Sequence, residues 1–462
     1  MHRADARAVL TRLRPERRRR IVAVAAGLLL GAVAAVVVAD PDTSLPLMVM
    51  ALTAVFLVAK PHWTVLVIFV VSTFRLSPVR IGPLSTAELL AAALVFPLAL
   101  EMFRDRRIWL WHVPHVRLLF GIAGVLAAAT VWSLVLHPAP PLEALERPWD
   151  EVFWFVQSLL FLVYFVYFIK TPRHVVYVVV VVLLMILVAA ADAVDLVEDG
   201  PAGRRAGTDY FGGFTGNENR LAHFCLWGTS LFWSLRYKGP DGWWRSLAVA
   251  PLLGLPLVTL MTGSRSGLLQ LMLLGGLILL EQRQWAPAQR ARACALALVV
   301  ALVILLAAPA AMVQRASDFN VGRTTTIGRL HAIEAAVVMM AENPVFGVGP
   351  GNFSWRYHVL TGSLMSPHNA YIWAIVSGGP LLLILYLVLF HRTYGTLRAL
   401  ERGGPAAFVW LVTALRFNLI LFLVFSAFAT VWTAEVFWLL VGLTIVLARL
   451  ASAGQRPTLR AA

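Results

Sequence analysis

Apolar runs close to 20 residues long recur along this chain, with few charges inside them. Ile21–Ala39, Val116–Leu136, Val152–Ile169, His174–Leu196 and Val436–Leu450 are examples. A helix rises ~1.5 Å per residue, so about 20 such residues cross the ~30 Å of hydrocarbon in a bilayer. In lipid every backbone N–H and C=O needs an internal partner, which leaves helices or a closed barrel. The runs lack the period-two alternation of a barrel. The expected class is therefore an all-α polytopic membrane protein. Spans are expected at about 21–39, 45–59, 62–74, 86–103, 116–136, 151–169, 174–196, 219–236, 244–261, 265–281, 293–313, 369–391, 406–431 and 434–450, with the third short and a candidate re-entrant segment. That gives about 12–14 transmembrane helices.

Charge then orients the chain. The net charge of +15 would suit a nucleic-acid binder, but the basic residues form short clusters between apolar blocks. That pattern is topogenic. With an even number of spans and both termini cytoplasmic, about 27 of the 39 Lys and Arg fall on cytoplasmic segments. Arg416 is left inside a span. The basic tail with Arg12, Arg14 and Arg17–Arg20 reads as an anchor near anionic membrane lipids, and no nucleic-acid partner is expected. The apolar run after it exceeds the ~7–15 residues of a cleaved signal, so it is expected to stay as the first span. Cys225 and Cys294 fall near opposite membrane faces, too far apart for a disulfide. The expected organisation is a basic cytoplasmic tail at 1–20 and transmembrane helices over 21–313 with an outer loop at about 197–218. A large periplasmic loop follows at 314–368, then C-terminal helices at 369–450 and a cytoplasmic tail at 451–462.

A loop of the size of 314–368 between spans is commonly functional. Ile327, Leu330, Ile333, Val337 and Met340 recur in it at helical spacing. Thr326 is the expected N-cap, and Asn343-Pro344 and Gly347 end the run. This predicts an amphipathic helix whose stripe faces the bundle or the bilayer. Arg323 precedes the helix and Arg329 lies in its first turn, where N–H groups and guanidinium groups together attract phosphate. An ordinary solvated helix start is the alternative. Gly263-Ser264-Arg265-Ser266-Gly267 joins two spans on the same face, and Arg265 there either snorkels or meets an anion. Gly216-Asn217-Glu218-Asn219-Arg220 opens a further span on that face, with Asn217 and Arg220 as candidate ligands. His368, between Pro367 and Asn369, is placed either as a helix cap or as a base titrating near neutrality. Gly347-Val348-Gly349-Pro350-Gly351 follows no strand and reads as a turn, not a nucleotide loop. No metal-ligand spacing appears in the outer loops, so neither a metal nor another cofactor is expected.

Taken in order, these motifs resemble the O-antigen ligase and polymerase superfamily of the bacterial inner membrane. The resemblance covers roughly residues 210–390 and is most specific from Gly328-Arg329, through Glu342-Asn343-Pro344-Val345-Phe346-Gly347-Val348-Gly349 and Asn352-Phe353, to His368-Asn369-Ala370-Tyr371 and Gly378-Gly379. It implies a fold of the GT-C type, with a helical cap on the periplasmic side. It implies transfer of a glycan from undecaprenyl-diphosphate, inverting and metal-independent. His368, Arg329 and Arg265 would be the catalytic residues, with Arg323, Arg220, Asn217 and Asn369 lining the substrate. The leading acceptor is the lipid A core oligosaccharide. A second lipid-linked repeat unit, as a polymerase would use, is the alternative. Arg205 and Gly216 have the Arg-x10-Gly spacing found in polymerases, but no arginine of the second loop does. From another class, a lipid-linked glycan flippase or transporter would place charges at mid-membrane. The acceptor, the glycan and the oligomeric state are not legible here. The topology makes an outcome checkable: Ser317→Cys and Ser363→Cys react with an impermeant thiol reagent once the outer membrane is permeabilised, while Ser452→Cys stays protected.

Overall fold

The computed structural model of the chain describes residues 60–73, 80–81, 84–104, 113–136, 148–198, 218–282, 286–292, 294–295, 324–430 and 435–455. They are overwhelmingly helical. The expected spans from 62–74 onward coincide with helices, except 293–313, which lies almost wholly outside the described residues, as do 21–39 and 45–59. Seven helical segments among the described residues are long and apolar enough to cross a membrane. The chain is an all-α polytopic membrane protein.

Chain contacts separate two units. One takes in the described residues up to Ile68 together with 77–105, and the other takes in 69–76 and 106–462. The first contains the start of α1 (Pro61–Thr73), a two-residue hairpin, β1 (Arg80–Ile81) against β2 (Leu84–Ser85), and α2 (Thr86–Arg104). At ~1.5 Å per residue α1 is only about 20 Å long, short of a full crossing.

The second unit holds everything that follows. Its helices are α3 (Pro114–Leu136), α4 (Pro148–Phe168), α5 (Pro172–Glu198) and α6 (Glu218–Lys238). Then come α7 (Trp244–Leu247), α8 (Val249–Met261), α9 (Arg265–Gln282), α10 (Thr324–Glu342) and α11 (Phe353–Thr361). The last three are α12 (Ala370–Gly403), α13 (Val409–Ser426) and α14 (Glu435–Gln455). Proline occupies the first position of α1, α3, α4 and α5, where its fixed φ suits a helix and its missing N–H costs nothing.

The centre of this unit is α6. It is too polar to count among the seven apolar crossings, yet Leu221 to Ser234 is buried without interruption. It packs against α5, α8, α9 and α13. A helix surrounded by protein can carry hydroxyls and amides, provided each finds a partner. Ser230 Oγ donates to Asn418 Oδ1 of α13 at 2.6 Å, which is one such pairing.

The described part of the long segment before α12 holds two helices. α10 begins at Thr324, two residues before the expected cap at Thr326, and ends at Glu342, just before Asn343-Pro344 as its sequence dictates. Of the predicted stripe Met340 packs on protein, but most of the packed face is formed by other residues. Ala332, Ala335, Ala336 and Met339 are buried with Val348, Phe353, Tyr357 and Val376. Leu330, Ile333 and Val337 lie outside that contact, between 46% and 65% exposed. Small residues let α10 approach the protein closely, so the bulky aliphatics point away from the bundle. The sequence did not reveal α11. It closes on Gly362, at φ +76, whose N–H bonds the His358 carbonyl at 2.7 Å. An ion pair from Arg356 to Glu342 ties α11 to the end of α10.

The turn between α10 and α11 inserts into a break in α12. Gly378 and Gly379 leave helical geometry there, and Pro380 follows. Val348 N–H donates to the Val376 carbonyl at 2.9 Å. Gly347, at φ +66, comes so close that a Cβ would lie 2.1 Å from that same oxygen. Gly379, at φ +73, stands similarly against the Val345 carbonyl. The left-handed backbone costs an L-residue roughly 1–2 kcal/mol before any clash. Gly347→Ala should therefore lower stability by at least about 2 kcal/mol, read as a fall in melting temperature in detergent. Gly395→Ala, where nothing lies within 4 Å, should leave it unchanged or raise it.

Candidate functional site

Four helices begin at one end of the second unit: α6 at Glu218, α9 at Arg265, α10 at Thr324 and α12 at Ala370. Their first turns are connected. Ser264 caps α9, its Oγ accepting from Gly267 N–H at 3.0 Å. The Ser264 hydroxyl also donates to Asn219 Oδ1 of α6 at 2.6 Å, and Ser266 Oγ donates to the same oxygen at 2.9 Å. Thus the Asn-rich start of α6 and the Gly-Ser-Arg-Ser-Gly turn form one structure, with Arg265 between the two serines. Gly267 makes the approach possible, since a Cβ there would sit 2.7 Å from that of Ala222.

Arg329 faces this pair from α10. Burial and the nearby Arg265 guanidinium hold its pKa below the ordinary arginine value, and Glu218 opposes the shift. His368 lies within electrostatic reach of Arg329. Residues 328 and 365 also meet, because a Cβ on Gly328 would lie 3.1 Å from Met365 Cε. So Arg265, Arg329 and His368, distant in sequence, share one locale.

The backbone at His368 is unusual. Its φ of +44 is the left-handed conformation, and no other described non-glycine residue has a positive φ. Such strain persists only where neighbours over-determine it. Here Pro367 is buried on one side. On the other, Asn369 caps α12, its Oδ1 accepting from Tyr371 N–H at 2.9 Å and Ile372 N–H at 3.1 Å. The cap is therefore Asn369, and His368 is left exposed beside it. Partial desolvation by the surrounding protein, then the charge of Arg329, pushes the His368 imidazole below its ordinary pKa. A neutral ring with an available lone pair can accept a proton.

Of the other sequence candidates, Arg220 is exposed in the first turn of α6, and Asn369 is the cap just described. Arg323 and Asn217 lie outside the described residues, as does the Arg205–Gly216 spacing. Two residues that sequence reasoning passed over belong to this end. His223 and Gln270 form a buried pair at 2.7 Å, one turn below Asn219 and Ser266. A polar residue recurring at i+4 on both helices was the available signal.

Arg416, the charge expected within a span, sits at the opposite end. Its Nη2 donates to Glu281 at 2.6 Å and to Glu401 at 3.2 Å. Lys238 also pairs with Glu281, and Thr413 Oγ1 donates to Glu401 at 2.9 Å. Lys238, Glu281 and Glu401 close the C-terminal ends of α6, α9 and α12, so about 24 Å of α9 separates Glu281 in this cluster from Arg265.

The fold and this end of it define a multi-pass helical membrane protein with a cationic locale beside a neutral histidine. A family model described as O-antigen ligase matches residues 249–387. The matched stretch includes Arg265, Arg329, His368 and the Gly378-Gly379 break. It supports a ligase-type transferase activity in general. No curated protein matches the chain.

The pKa argument has a direct check. The acid limb of His368 titration, followed by pH-dependent reaction with diethyl pyrocarbonate, should lie below the ordinary imidazole value. Arg329→Gln removes a repelling charge and should move the limb to higher pH. A limb unaffected by Arg329→Gln would mean that the two side chains do not interact.

Proposed function

We propose that the protein is an O-antigen ligase that transfers a glycan from undecaprenyl-diphosphate to the lipid A core at the periplasmic face of the bacterial inner membrane. The observation that carries this reading is the convergence of Arg265, Arg329 and His368 where four helices begin. Helix N-termini and guanidinium groups both attract a diphosphate. The two arginines repel each other in this structure, and a bound dianion would turn that repulsion into joint attraction.

In the proposed reaction His368 takes the proton from the acceptor hydroxyl as its oxygen forms a bond to the donor anomeric carbon. The bond from that carbon to the diphosphate oxygen breaks, and its electron pair leaves with the diphosphate. Attack from the face opposite the leaving group inverts the anomeric centre. Charge grows on the departing oxygen, where Arg265 and Arg329 stabilise it without reorganising. The arginines fill the role a divalent ion would take, so no metal is required. The carrier's isoprenoid tail runs into the bilayer beside the helices. The paired state of Arg416 supports transfer over transport, since the deep charge is absorbed by Glu281 and Glu401.

The test is single-turnover transfer by purified, folded protein, using a defined undecaprenyl-diphosphate glycan and excess chelator. Lipid A core should accept glycan. A preference for a second lipid-linked repeat unit would make the enzyme a polymerase instead. His368→Ala should cut transfer by ~10²–10⁴-fold with donor binding largely kept. Arg265→Ala and Arg329→Ala should weaken both binding and turnover, and Lys should rescue only partly because it lacks the bidentate fork. Normal turnover by both arginine variants would place the diphosphate elsewhere.

A further inference from the structure

His223 is a buried imidazole that the transfer chemistry does not use. It lies on α6 with 4% of its surface exposed, stacked on Phe425 at 4.4 Å between ring centroids and flanked by Phe422. Its Nδ1 meets Gln270 Oε1 at 2.7 Å, while Gln270 Nε2 donates to the Ser266 carbonyl at 3.1 Å. That carbonyl can only accept, so the amide nitrogen of Gln270 is committed to it. Gln270 Oε1 therefore accepts, and His223 Nδ1 carries the proton. His223 Nε2 is left as a buried lone pair without a hydrogen-bond partner. An apolar side chain would fill this aromatic slot without that penalty. What the ring supplies is a fixed donor to Gln270.

The consequence runs upward along the α6–α9 seam. Gln270 holds the carbonyl of Ser266, and the Ser266 hydroxyl holds Asn219 on α6. Ser264, bound to the same Asn219 oxygen, completes a second clasp above the Gly267–Ala222 contact. The two clasps straddle that contact and immobilise the first turn of α9. Arg265 is the first residue of that turn, and it faces the like charge of Arg329. A loosely held turn would relax away from this repulsion.

We propose that His223 and Gln270 are positioning residues for the donor diphosphate: the pair locks the first turn of α9 onto α6, so that Arg265 is presented beside Arg329. The proposal rests on the diphosphate reading given above. It predicts an effect on donor affinity that passes through Arg265 and leaves His368 chemistry alone.

The experiment is a double-mutant cycle on the full-length protein in detergent, with an undecaprenyl-diphosphate-linked oligosaccharide as donor. Gln270→Met keeps the volume and removes both hydrogen bonds. It should raise the donor KM roughly five- to tenfold, the size expected for loss of one or two hydrogen bonds, with any fall in kcat smaller than the one Arg265→Ala causes. In an Arg265→Ala background the same substitution should have no further effect on KM, because the residue it positions is gone. Should Gln270→Met fail to fold, Ser266→Ala removes a single hydroxyl from the same seam and is expected to shift KM in the same direction. An equal rise in KM with and without Arg265 would overturn the proposal, as would a fall in kcat with KM unchanged. The two readings fail separately. If Arg265→Ala raises KM but Gln270→Met and Ser266→Ala do not, the seam has no positioning role and the diphosphate site stands. If Arg265→Ala leaves KM unaltered, both are lost.

Discussion

A helix that crosses a bilayer cannot be interrupted unless something else satisfies the backbone it exposes. α12 is interrupted at Gly378 and Gly379, and the turn after α10 fills the interruption, with Val348 donating to the Val376 carbonyl. Much of the site follows from this one junction. It ties α10 and α11 to α12 through backbone contact, with no Cβ in the way at Gly347 or Gly379. It also fixes Asn369, two turns before the break, and with it His368. The segment from Pro380 to Gly403 rises about 36 Å, enough to cross by itself. The short piece before the break is therefore free to serve the site, and the bundle does not need it as a span.

The site consequently has two halves with different supports. Arg329 and His368 belong to the body formed by α10, α11 and the start of α12, whose core is Ala332, Ala335, Ala336, Met339 and Val376. Arg265 belongs to the α6–α9 seam, held by Asn219, Ser264, Ser266, Gln270 and His223. The side chains proposed to act together on one diphosphate are thus carried by separately packed elements. Each half is rigid for its own reason, one through backbone docking and the other through side-chain hydrogen bonds under Gly267.

Much of this was legible in the sequence, for identifiable physical reasons. Spans are written as long apolar runs because the bilayer imposes their length, and the runs among the described residues are helices. Arg265, Arg329 and His368 were visible because charged and titratable residues are conspicuous beside apolar runs. The orientation of α10 was not legible. Its aliphatic stripe and its alanine stripe both recur at helical spacing, and hydrophobicity alone favours Leu330, Ile333 and Val337 as the buried face. The sequence left that stripe facing either the bundle or the bilayer, and close packing decides between them, since the small alanines permit the approach that α10 makes. The His223–Gln270 pair was hidden for a related reason. Inside α6 and α9 each residue reads as an isolated polar interruption, and only the crossing of the two helices makes them partners.

The charges are distributed unevenly along the bundle, and the asymmetry bears on function. At one end Arg416 and Lys238 are matched by Glu281 and Glu401, so positive and negative groups balance within the protein. Burying such a network contributes little net stability but fixes which helices meet. At the other end Arg265 and Arg329 face each other, and Glu218 is the carboxylate that bears on Arg329. Two guanidinium groups within electrostatic reach of each other repel, and an anion between them would turn that repulsion into attraction. A diphosphate carries at least as much negative charge as the pair can use, and it gains more as a glycosidic bond to it breaks. In the proposed transfer, the same electrostatic imbalance between the two arginines is therefore strongest in favour of the state in which the bond is breaking.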